Sequence, residues 1–332
     1  MLNADLKEFE FTSDHDGLLI SAVIAIPSGD VNGVVQLVHG MNEHKERYFP
    51  FMDYLAEEGF VSVIHDNRGH GKSICSPDDL GFMFRDGGAG FLSDIVQLNR
   101  IVRETYPQHP LFLIGHSMGS LGVRCFLKEN DDRINGLVVL GCPCYSRFSA
   151  PVRAINSAVS KKMGSRFRSE KIDEAAEAFL NRSFEHDVPH SWICSDREVV
   201  DKFNSDPLCS FKYTLNGYES LLWLMRETYS RRGWNVRNPH LPIRFISGAD
   251  DPCMISEKKF FKAVGMLEKL GYESTSHRIF EGMRHEVLNE KNNIIVWKDI
   301  AKSLFSWIDR YNEALAEKLA HDGHQDDVSQ ED

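Results

Sequence analysis

The chain has 332 residues, of which 42% are apolar and 26% are charged, and its formal net charge is −11. This composition is typical of a globular protein and excludes a chain that is disordered throughout. An acidic chain without zinc-finger spacing or a basic stripe is also a poor candidate for nucleic-acid binding, so we expect no such partner.

The sequence carries no pattern typical of export or of membrane insertion. No apolar run approaches the roughly 18–20 residues of a membrane span. The N-terminus lacks the basic region and apolar stretch of a secretory signal. We therefore expect a cytoplasmic protein whose seven cysteines remain reduced thiols.

The first thirty residues alternate apolar and polar side chains, which predicts antiparallel strands at one edge of a sheet. Short apolar runs follow, each closed by glycine or polar residues and most of them followed by a longer amphipathic segment. This rhythm is typical of the α/β class, in which helices cover a mostly parallel sheet that is buried on both faces. The predicted strands are 33–40, 60–66, 111–117, 136–142, 242–248 and 274–280.

The strand pattern stops between about 145 and 238, and large apolar residues there recur at helical spacing. We expect a helical insertion whose apolar stripe faces the pocket or the core. The stripe consists of Val152, Ile155, Val159 and Met163. An amphipathic helix is predicted over 291–319. The sequence thus predicts a core of residues 1–144 and 239–320, a helical cap of residues 145–238 and a disordered acidic tail of residues 321–332.

The most informative motif is the pentapeptide Gly115-His116-Ser117-Met118-Gly119, which follows a predicted buried strand and begins a helix. A serine between such elements is a nucleophile elbow, held in a strained turn that exposes its hydroxyl. The glycines at 115 and 119 supply the clearance that lets strand and helix cross closely. The alternative interpretation is an ordinary glycine-rich turn.

A serine nucleophile needs a base and an acid that orients the base, and on this architecture they follow the serine as acid and then histidine. His285 is the one downstream histidine that follows a late strand and precedes the final helix. For the acid, Asp250 and Asp251 compete in the loop after the preceding strand. The G-x-x-D spacing and the turn fixed by Pro252 favour Asp251.

Acyl transfer also needs two donors for the oxyanion that develops on the substrate. One is the backbone N–H of Met118, the residue after the nucleophile. The other is expected from the loop after an earlier strand, where Gly40 lets the chain turn so that the N–H of Met41 faces Ser117. We expect His39 to support this loop by hydrogen bonding rather than to take part in the chemistry.

Several motifs together resemble the monoacylglycerol lipase and lysophospholipase group of α/β-hydrolases, which are serine aminopeptidase-like hydrolases, and the resemblance runs from about residue 10 to 312. The motifs are residues 39–48 (HGMNEHKERY), 66–73 (DNRGHGKS), 115–119 (GHSMG), 206–208 (DPL), 248–252 (GADDP) and 285–286 (HE). The resemblance implies an α/β-hydrolase fold with a helical cap over an acyl-binding pocket. It implies a Ser117–Asp251–His285 triad, whereas the weakly matching cap leaves the substrate open.

We therefore expect a cofactor-free serine hydrolase that cleaves monoacylglycerols or lysophospholipids through an acyl-enzyme. Two alternatives remain: a peptidase of the proline iminopeptidase type and a non-catalytic, ligand-binding relative. No zinc-site spacing occurs, so no metal is expected. An acyl pocket or a plain core contact is equally consistent with the apolar residues Phe82, Met83, Phe84, Trp192, Leu221, Leu222 and Trp223.

One segment of the cap departs from the acidic character of the chain. Residues 147–171 hold seven bases and one acid. A solvated basic face is the plain interpretation, and peripheral contact with an anionic lipid surface is the functional one. The sequence does not indicate the oligomeric state.

Overall fold

A computed structural model describes residues 4–146, 149–185 and 187–328. Eight strands form one sheet in the order β1-β2-β4-β3-β5-β6-β7-β8. The strands are β1 (Ala4–Thr12), β2 (Leu19–Pro27), β3 (Gly33–Val38), β4 (Phe60–His65), β5 (Leu111–His116), β6 (Gly136–Leu140), β7 (Ile243–Gly248) and β8 (Thr275–Phe280).

The pairing of the strands follows their sequence patterns. β2 runs antiparallel to both β1 and β4 at one end of the sheet. From β4 to β8, neighbouring strands are parallel. All residues of β3, β4, β5 and β6 are buried, as expected for apolar runs covered on both faces. The predicted α/β architecture with an edge hairpin is therefore confirmed.

Nine helices occur among the described residues, and those of the core cover both faces of the sheet. α1 and α9 pack on one face, and α2, α3 and α8 pack on the other together with the cap helix α7. The helices are α1 (Phe49–Glu57), α2 (Gly87–Thr105), α3 (Met118–Asn130), α4 (Ser149–Met163), α5 (Glu170–Leu180), α6 (Arg197–Ser205), α7 (Leu215–Tyr229), α8 (Glu257–Leu270) and α9 (Ile294–Val328).

The four helices α4 to α7 lie between β6 and β7, where the sequence predicted the cap insertion. The expected orientation of α4 is wrong. Val152, Ile155 and Met163 are 48%, 62% and 48% exposed, whereas Asn156 is buried and its amide donates to the carbonyl of Leu215 at the start of α7. The helix buries a small and polar face because that face finds a hydrogen-bond acceptor on α7, and its apolar stripe remains in solvent.

The C-terminal segment also differs from the prediction. α9 continues to Val328, eight residues into the predicted disordered tail, while residues 329–332 lie outside the described residues. Residues 313–319 (EALAEKL) are mostly good helix formers, so the helix continues beyond its last apolar contacts with the sheet.

Residues 147 and 148 of the basic segment also lie outside the described part of the chain. No described helix has both the length and the apolar character needed to cross a bilayer.

Candidate active site

Ser117 occupies the turn between β5 and α3 in a strained backbone conformation, with φ +52° and ψ −116°. The two glycines of the motif permit this turn. A Cβ on Gly115 would lie 2.6 Å from the carbonyl oxygen of Gly119, and a Cβ on Gly119 would overlap the carbonyl of Val38. Helix α3 can therefore approach β3 and β5 closely only with glycine at both positions, and Ser117 is held at the carboxyl edge of the sheet.

Asp251 and His285 meet at the same edge, although 34 residues separate them. His285 Nδ1 donates to Asp251 Oδ1 at 2.9 Å, and both residues are buried. The same carboxylate accepts from the N–H of Cys253 at 2.8 Å and from the hydroxyl of Ser247 at 3.0 Å. Burial alone would raise the pKa of Asp251, but His285 and these donors lower it. Asp250 is exposed, and among the described hydrogen bonds it is Asp251, not Asp250, that pairs with His285.

The second nitrogen of His285 is available for chemistry. Its Nε2 is buried and makes no hydrogen bond within the described part of the chain. The imidazole lies between two other rings, with centroid distances of 4.8 Å to His116 and 5.1 Å to Trp192 of the cap. These contacts restrict the orientation of the ring. Hydrogen bonds of a catalytic base are often completed only when substrate binds.

Of the two predicted oxyanion donors, Met118 directly follows Ser117, and Met41 follows Gly40, which lies close to Ser117. Met118 is the first residue of α3, so its N–H has no acceptor within the helix. A Cβ on Gly40 would lie 3.0 Å from Ser117 Cβ, which shows how closely the loop before Met41 passes the nucleophile. His39 holds the start of this loop, because its Nδ1 donates to the carbonyl of Gly40 and its Nε2 accepts from the N–H of Asn67, both at 2.9 Å.

A buried carboxylate, Glu43, ties the oxyanion loop to the elbow. Its Oε1 accepts from the N–H of Gly40 at 2.5 Å, from His116 Nδ1 at 2.9 Å and from the Tyr48 hydroxyl at 3.1 Å. Burial opposes ionisation of both partners, yet their attraction lowers the pKa of Glu43 and raises that of His116. His116 therefore supports the site through its contact with Glu43, which joins the elbow (residues 115–119) to the oxyanion loop (residues 39–43).

Arg47 extends this network to the loop that carries His285. It forms a bidentate ion pair with Glu286, at 2.7 and 2.6 Å, and its Nη1 also donates to Glu43 Oε2 at 3.2 Å. Glu286 directly follows His285, and its N–H donates to the carbonyl of Ile193 in the cap at 2.7 Å. One chain of charged contacts thus links the oxyanion loop, the histidine loop and the cap.

Sequence reasoning gave Glu43, Arg47 and Glu286 no role beyond membership of family motifs. Their partners are brought together only by the fold, since 239 residues separate Arg47 from Glu286. The available signal was the density of charged residues in a segment that follows a buried strand. Such charges are buried only when they are paired.

The seven apolar residues predicted to line an acyl pocket or a plain core contact differ in burial, and Trp192 is the one with a described ring contact to His285. Met83 is fully buried in the core. The other six are partly exposed: Phe82, Phe84, Trp192, Leu221, Leu222 and Trp223. Part of the basic segment is engaged with protein, whereas Lys161 and Lys162 are exposed. Arg166 pairs with Asp79 at 2.6 Å, and Arg153 pairs with Glu219 at 2.6 Å.

Comparison with known proteins identifies the family of the chain. A model of the family described as serine aminopeptidase, S33 matches residues 29–292. Monoacylglycerol lipase of Mycolicibacterium smegmatis is 23% identical over 88% of this chain and 93% of that protein. A monoglyceride lipase homolog of monkeypox virus is 23% identical over 83% of this chain and 88% of that protein. The resemblance predicted from the motifs is therefore confirmed.

The fold is shared with solved structures as well. A thermostable carboxyl esterase from Bacillus coagulans superposes with a TM-score of 0.84 at 24% sequence identity. The alignment covers 91% of this chain and 99% of the esterase. The predicted α/β-hydrolase fold is thereby confirmed.

Proposed function

The chain belongs to the serine aminopeptidase, S33 family of α/β-hydrolases, and we propose that it cleaves carboxylic esters of lipid type with Ser117 as the nucleophile. The observation that carries this proposal is the buried pair of His285 and Asp251, which lies at the sheet edge that also holds Ser117 in its strained turn. A buried imidazole with one nitrogen fixed by a carboxylate and the other unbonded has the form of a general base.

In the proposed first step, Ser117 Oγ attacks the ester carbonyl while His285 Nε2 takes the hydroxyl proton. Asp251 keeps the imidazole in the required tautomer and stabilises the imidazolium that forms. The N–H groups of Met41 and Met118 stabilise the tetrahedral oxyanion. The intermediate then collapses, and His285 gives its proton to the departing alcohol, which leaves an acyl group on Ser117.

In the second step, His285 takes a proton from water, and the resulting hydroxide attacks the acyl carbonyl. The same N–H groups stabilise the second oxyanion. Collapse releases the fatty acid and returns the proton to Ser117. These steps need only groups of this chain, so the proposal includes no cofactor.

We propose monoacylglycerols or lysophospholipids as the substrate class. Two of the relatives described above are named as monoacylglycerol or monoglyceride lipases. Partly exposed aromatic and aliphatic residues of the cap and the adjoining loop, such as Trp192, Trp223 and Phe84, supply apolar surface suited to an acyl chain.

We further propose that the cap rests on lipid surfaces through α4. Val152, Ile155 and Met163 form an exposed apolar stripe, and Lys161 and Lys162 lie exposed at the end of the same helix. An apolar face bordered by lysines is the pattern of helices that lie in the interface of a bilayer. The sequence attributed this contact to basic charge. We now propose that the exposed apolar area of α4 makes the larger contribution to the free energy of binding to a lipid surface.

The proposed place of action is the cytosol. All seven cysteines are free thiols, and the buried Cys142 and Cys144 lie in side-chain contact without being joined. Reduced thiols are typical of that compartment.

Labelling with a fluorophosphonate, followed by mass spectrometry of the digested protein, tests the nucleophile. We expect one adduct, on Ser117, and none in a Ser117→Ala variant. Turnover of a monoacylglycerol, a lysophospholipid, a short p-nitrophenyl ester and a prolyl p-nitroanilide then tests the substrate class. Preference for the prolyl amide would favour the peptidase alternative, and an unlabelled, inactive protein would favour the ligand-binding one.

A further inference from the structure

A second group of ligating atoms lies outside the proposed active site, at the seam between core and cap. His44 belongs to the loop before α1, while Asp206 and Cys209 belong to the turn that follows α6. One ligand atom from each of the three residues lies within 4.8 Å of the other two. We propose that His44 Nε2, Asp206 Oδ2 and Cys209 Sγ bind one divalent cation of the zinc class.

The imidazole of His44 is oriented for this role by a carboxylate on its own loop. Glu46 Oε2 lies 2.6 Å from His44 Nδ1, and Glu46 Oε1 is held by the ammonium group of Lys45 at 3.1 Å. The N–H at Nδ1 is therefore donated to Glu46, and Nε2 points toward Asp206 at 3.0 Å. A histidine that ligates zinc is usually held in this way, with its other nitrogen bonded to a carboxylate.

The turn from Asp206 to Cys209 places its two ligands on one side. Asp206 Oδ1 accepts from the N–H of Leu208 at 2.8 Å, which leaves Oδ2 for a further partner. The N–H of Cys209 donates to the carbonyl of Asp206 at 3.0 Å and closes the turn. Asn42 of the core donates to the carbonyl of Cys209 at 3.1 Å, so the turn is held against the loop that carries His44.

The charges around the three residues favour a cation. The carboxylates of Glu43, Glu46, Asp206 and Glu286 all lie on this side of the seam. Among the described cations, Arg47 pairs with Glu43 and Glu286, Lys45 pairs with Glu46, and Lys202 lines the same cleft, so the carboxylates are still in excess. Coordination would replace the thiol proton of Cys209, which leaves to solvent. One carboxylate and one thiolate then balance the charge of the ion.

The ligand set and its surroundings suit zinc chemistry. One nitrogen, one oxygen and one sulfur donor fill three of the four positions that zinc prefers. A surface cleft of about 360 Å³ is lined by His44, Glu46 and Asp206, so water can supply the fourth ligand and the ion can enter from solvent. An ion here would join the cap directly to the loop that also holds the Arg47–Glu286 pair.

Titration of the full-length, metal-free protein with Co²⁺ tests the proposal, because Co²⁺ substitutes for zinc and a thiolate ligand produces a charge-transfer band in the near ultraviolet. We expect this band to saturate at one Co²⁺ per chain and to disappear when one equivalent of Zn²⁺ is added. Zn²⁺ is also expected to raise the melting temperature.

Two cysteine variants distinguish the possible sites. Cys253 lies with Asp251 and His285 in the other described group of potential ligands, so Cys253→Ser is the matched control for Cys209→Ser. The band and the Zn²⁺-dependent rise in melting temperature should be lost in Cys209→Ser and retained in Cys253→Ser. Asp206→Asn should weaken binding at least tenfold while keeping the shape of the turn.

Two outcomes would overturn the proposal. If the wild type shows no thiolate band at stoichiometric Co²⁺, the contacts of His44 are hydrogen bonds between core and cap and nothing more. If the band is lost in Cys253→Ser and kept in Cys209→Ser, the ion occupies the proposed active site instead. Neither outcome depends on the substrate, so the test is independent of the proposed hydrolase activity.

Discussion

At the carboxyl edge of the sheet, charged side chains are buried and each meets a partner of opposite charge, whereas helix α4 of the cap holds its large apolar side chains in solvent. Glu43 makes four polar contacts, with the N–H of Gly40 and the side chains of His116, Arg47 and Tyr48. On α4, Ile155 is 62% exposed and the buried residue is Asn156. Each region thus inverts the usual relation between polarity and burial.

The two regions differ in how strictly their side chains must be positioned. Burying several charges costs free energy that only closely fitted partners can offset, so the network at the sheet edge permits one arrangement of the site. An exposed apolar stripe imposes no such arrangement on its surroundings. It leaves the cap able to meet an apolar partner, which we propose to be a lipid surface.

Ser117→Ala is expected to have the largest effect at the sheet edge. Loss of the nucleophile removes the covalent step, and comparable losses in serine hydrolases are on the order of 10⁶ in kcat. Alanine removes only an oxygen, so the melting temperature should change little. Steady-state kinetics on a p-nitrophenyl ester provides the measurement, and a variant that keeps a tenth of wild-type activity would remove Ser117 from the mechanism.

Asp251→Asn is expected to lower kcat by a factor of about 10⁴. The amide group of asparagine can donate to Nδ1 of His285, which favours the tautomer in which Nε2 carries the proton and cannot act as a base. Asp250→Asn is the matched control, since Asp250 is exposed and makes no described contact with His285. It should leave kcat within a factor of about three. The same ester assay compares the two variants, and a reversed order of severity would assign the acid to Asp250.

Glu43→Gln tests the buried network itself. It leaves His116 and Arg47 without their shared carboxylate, and removal of one member of a buried ion pair costs about 3–5 kcal/mol in free energy of unfolding. Urea denaturation measures this loss. A change below about 1 kcal/mol would show that the buried charges do not hold the site together.

The pH dependence of that loss follows from the two pKa shifts. The lowered pKa of Glu43 gives a stabilisation that is present above its ordinary value of 4.5 and is lost as the pH falls toward the folded value. The raised pKa of His116 gives one that is complete below 6.5 and is lost as the pH rises through the folded value. The difference between wild type and Glu43→Gln should therefore be largest between about pH 5 and 6.5. A pH-independent difference would contradict the ionised pair.

Much of the sheet edge could be predicted because its constraints are local in sequence. A strained turn requires glycine at 115 and 119, and a parallel strand covered on both faces is mostly apolar, so both leave a signature in the sequence. Asp251 and His285 could be placed because loops after parallel strands meet at one edge. The network of Glu43, Arg47 and Glu286 could not, since nothing in the sequence shows which distant charges become partners.

The orientation of helix α4 in the cap escaped prediction for a related reason. Helical spacing of apolar residues indicates a face, but it does not show whether protein or solvent lies against that face. On α4 the decision rests on Asn156, whose amide finds an acceptor at the start of α7. The same limit applies to His44 and Cys209, which are far apart in sequence and meet only across the seam between core and cap.

Substitutions on α4 are expected to have the smallest effect on stability and to act on function only through binding to lipid surfaces. The double variant Val152→Ser/Ile155→Ser should change the free energy of unfolding by less than about 0.5 kcal/mol, because both side chains are exposed in the free protein. If the stripe enters a bilayer, partial burial of each side chain is worth about 1 kcal/mol, so binding to vesicles should weaken by a factor of roughly ten or more. Sedimentation with anionic and neutral vesicles measures this binding. Ala158→Ser on the same helix is the control, since it adds a hydroxyl and removes little apolar area.

Charge and apolar area can be separated in the same assay. Lys161→Gln/Lys162→Gln should weaken binding to anionic vesicles only, and added salt should reproduce that effect on the wild type. The apolar double variant should weaken binding to both kinds of vesicle at any ionic strength. Hydrolysis of a short soluble ester should remain at the wild-type rate in every variant, because α4 then acts by bringing the enzyme to its substrate. If the rate on the short soluble ester falls together with vesicle binding, the apolar stripe takes part in the access of substrate to Ser117. The cap surface would then not be independent of the site at the sheet edge.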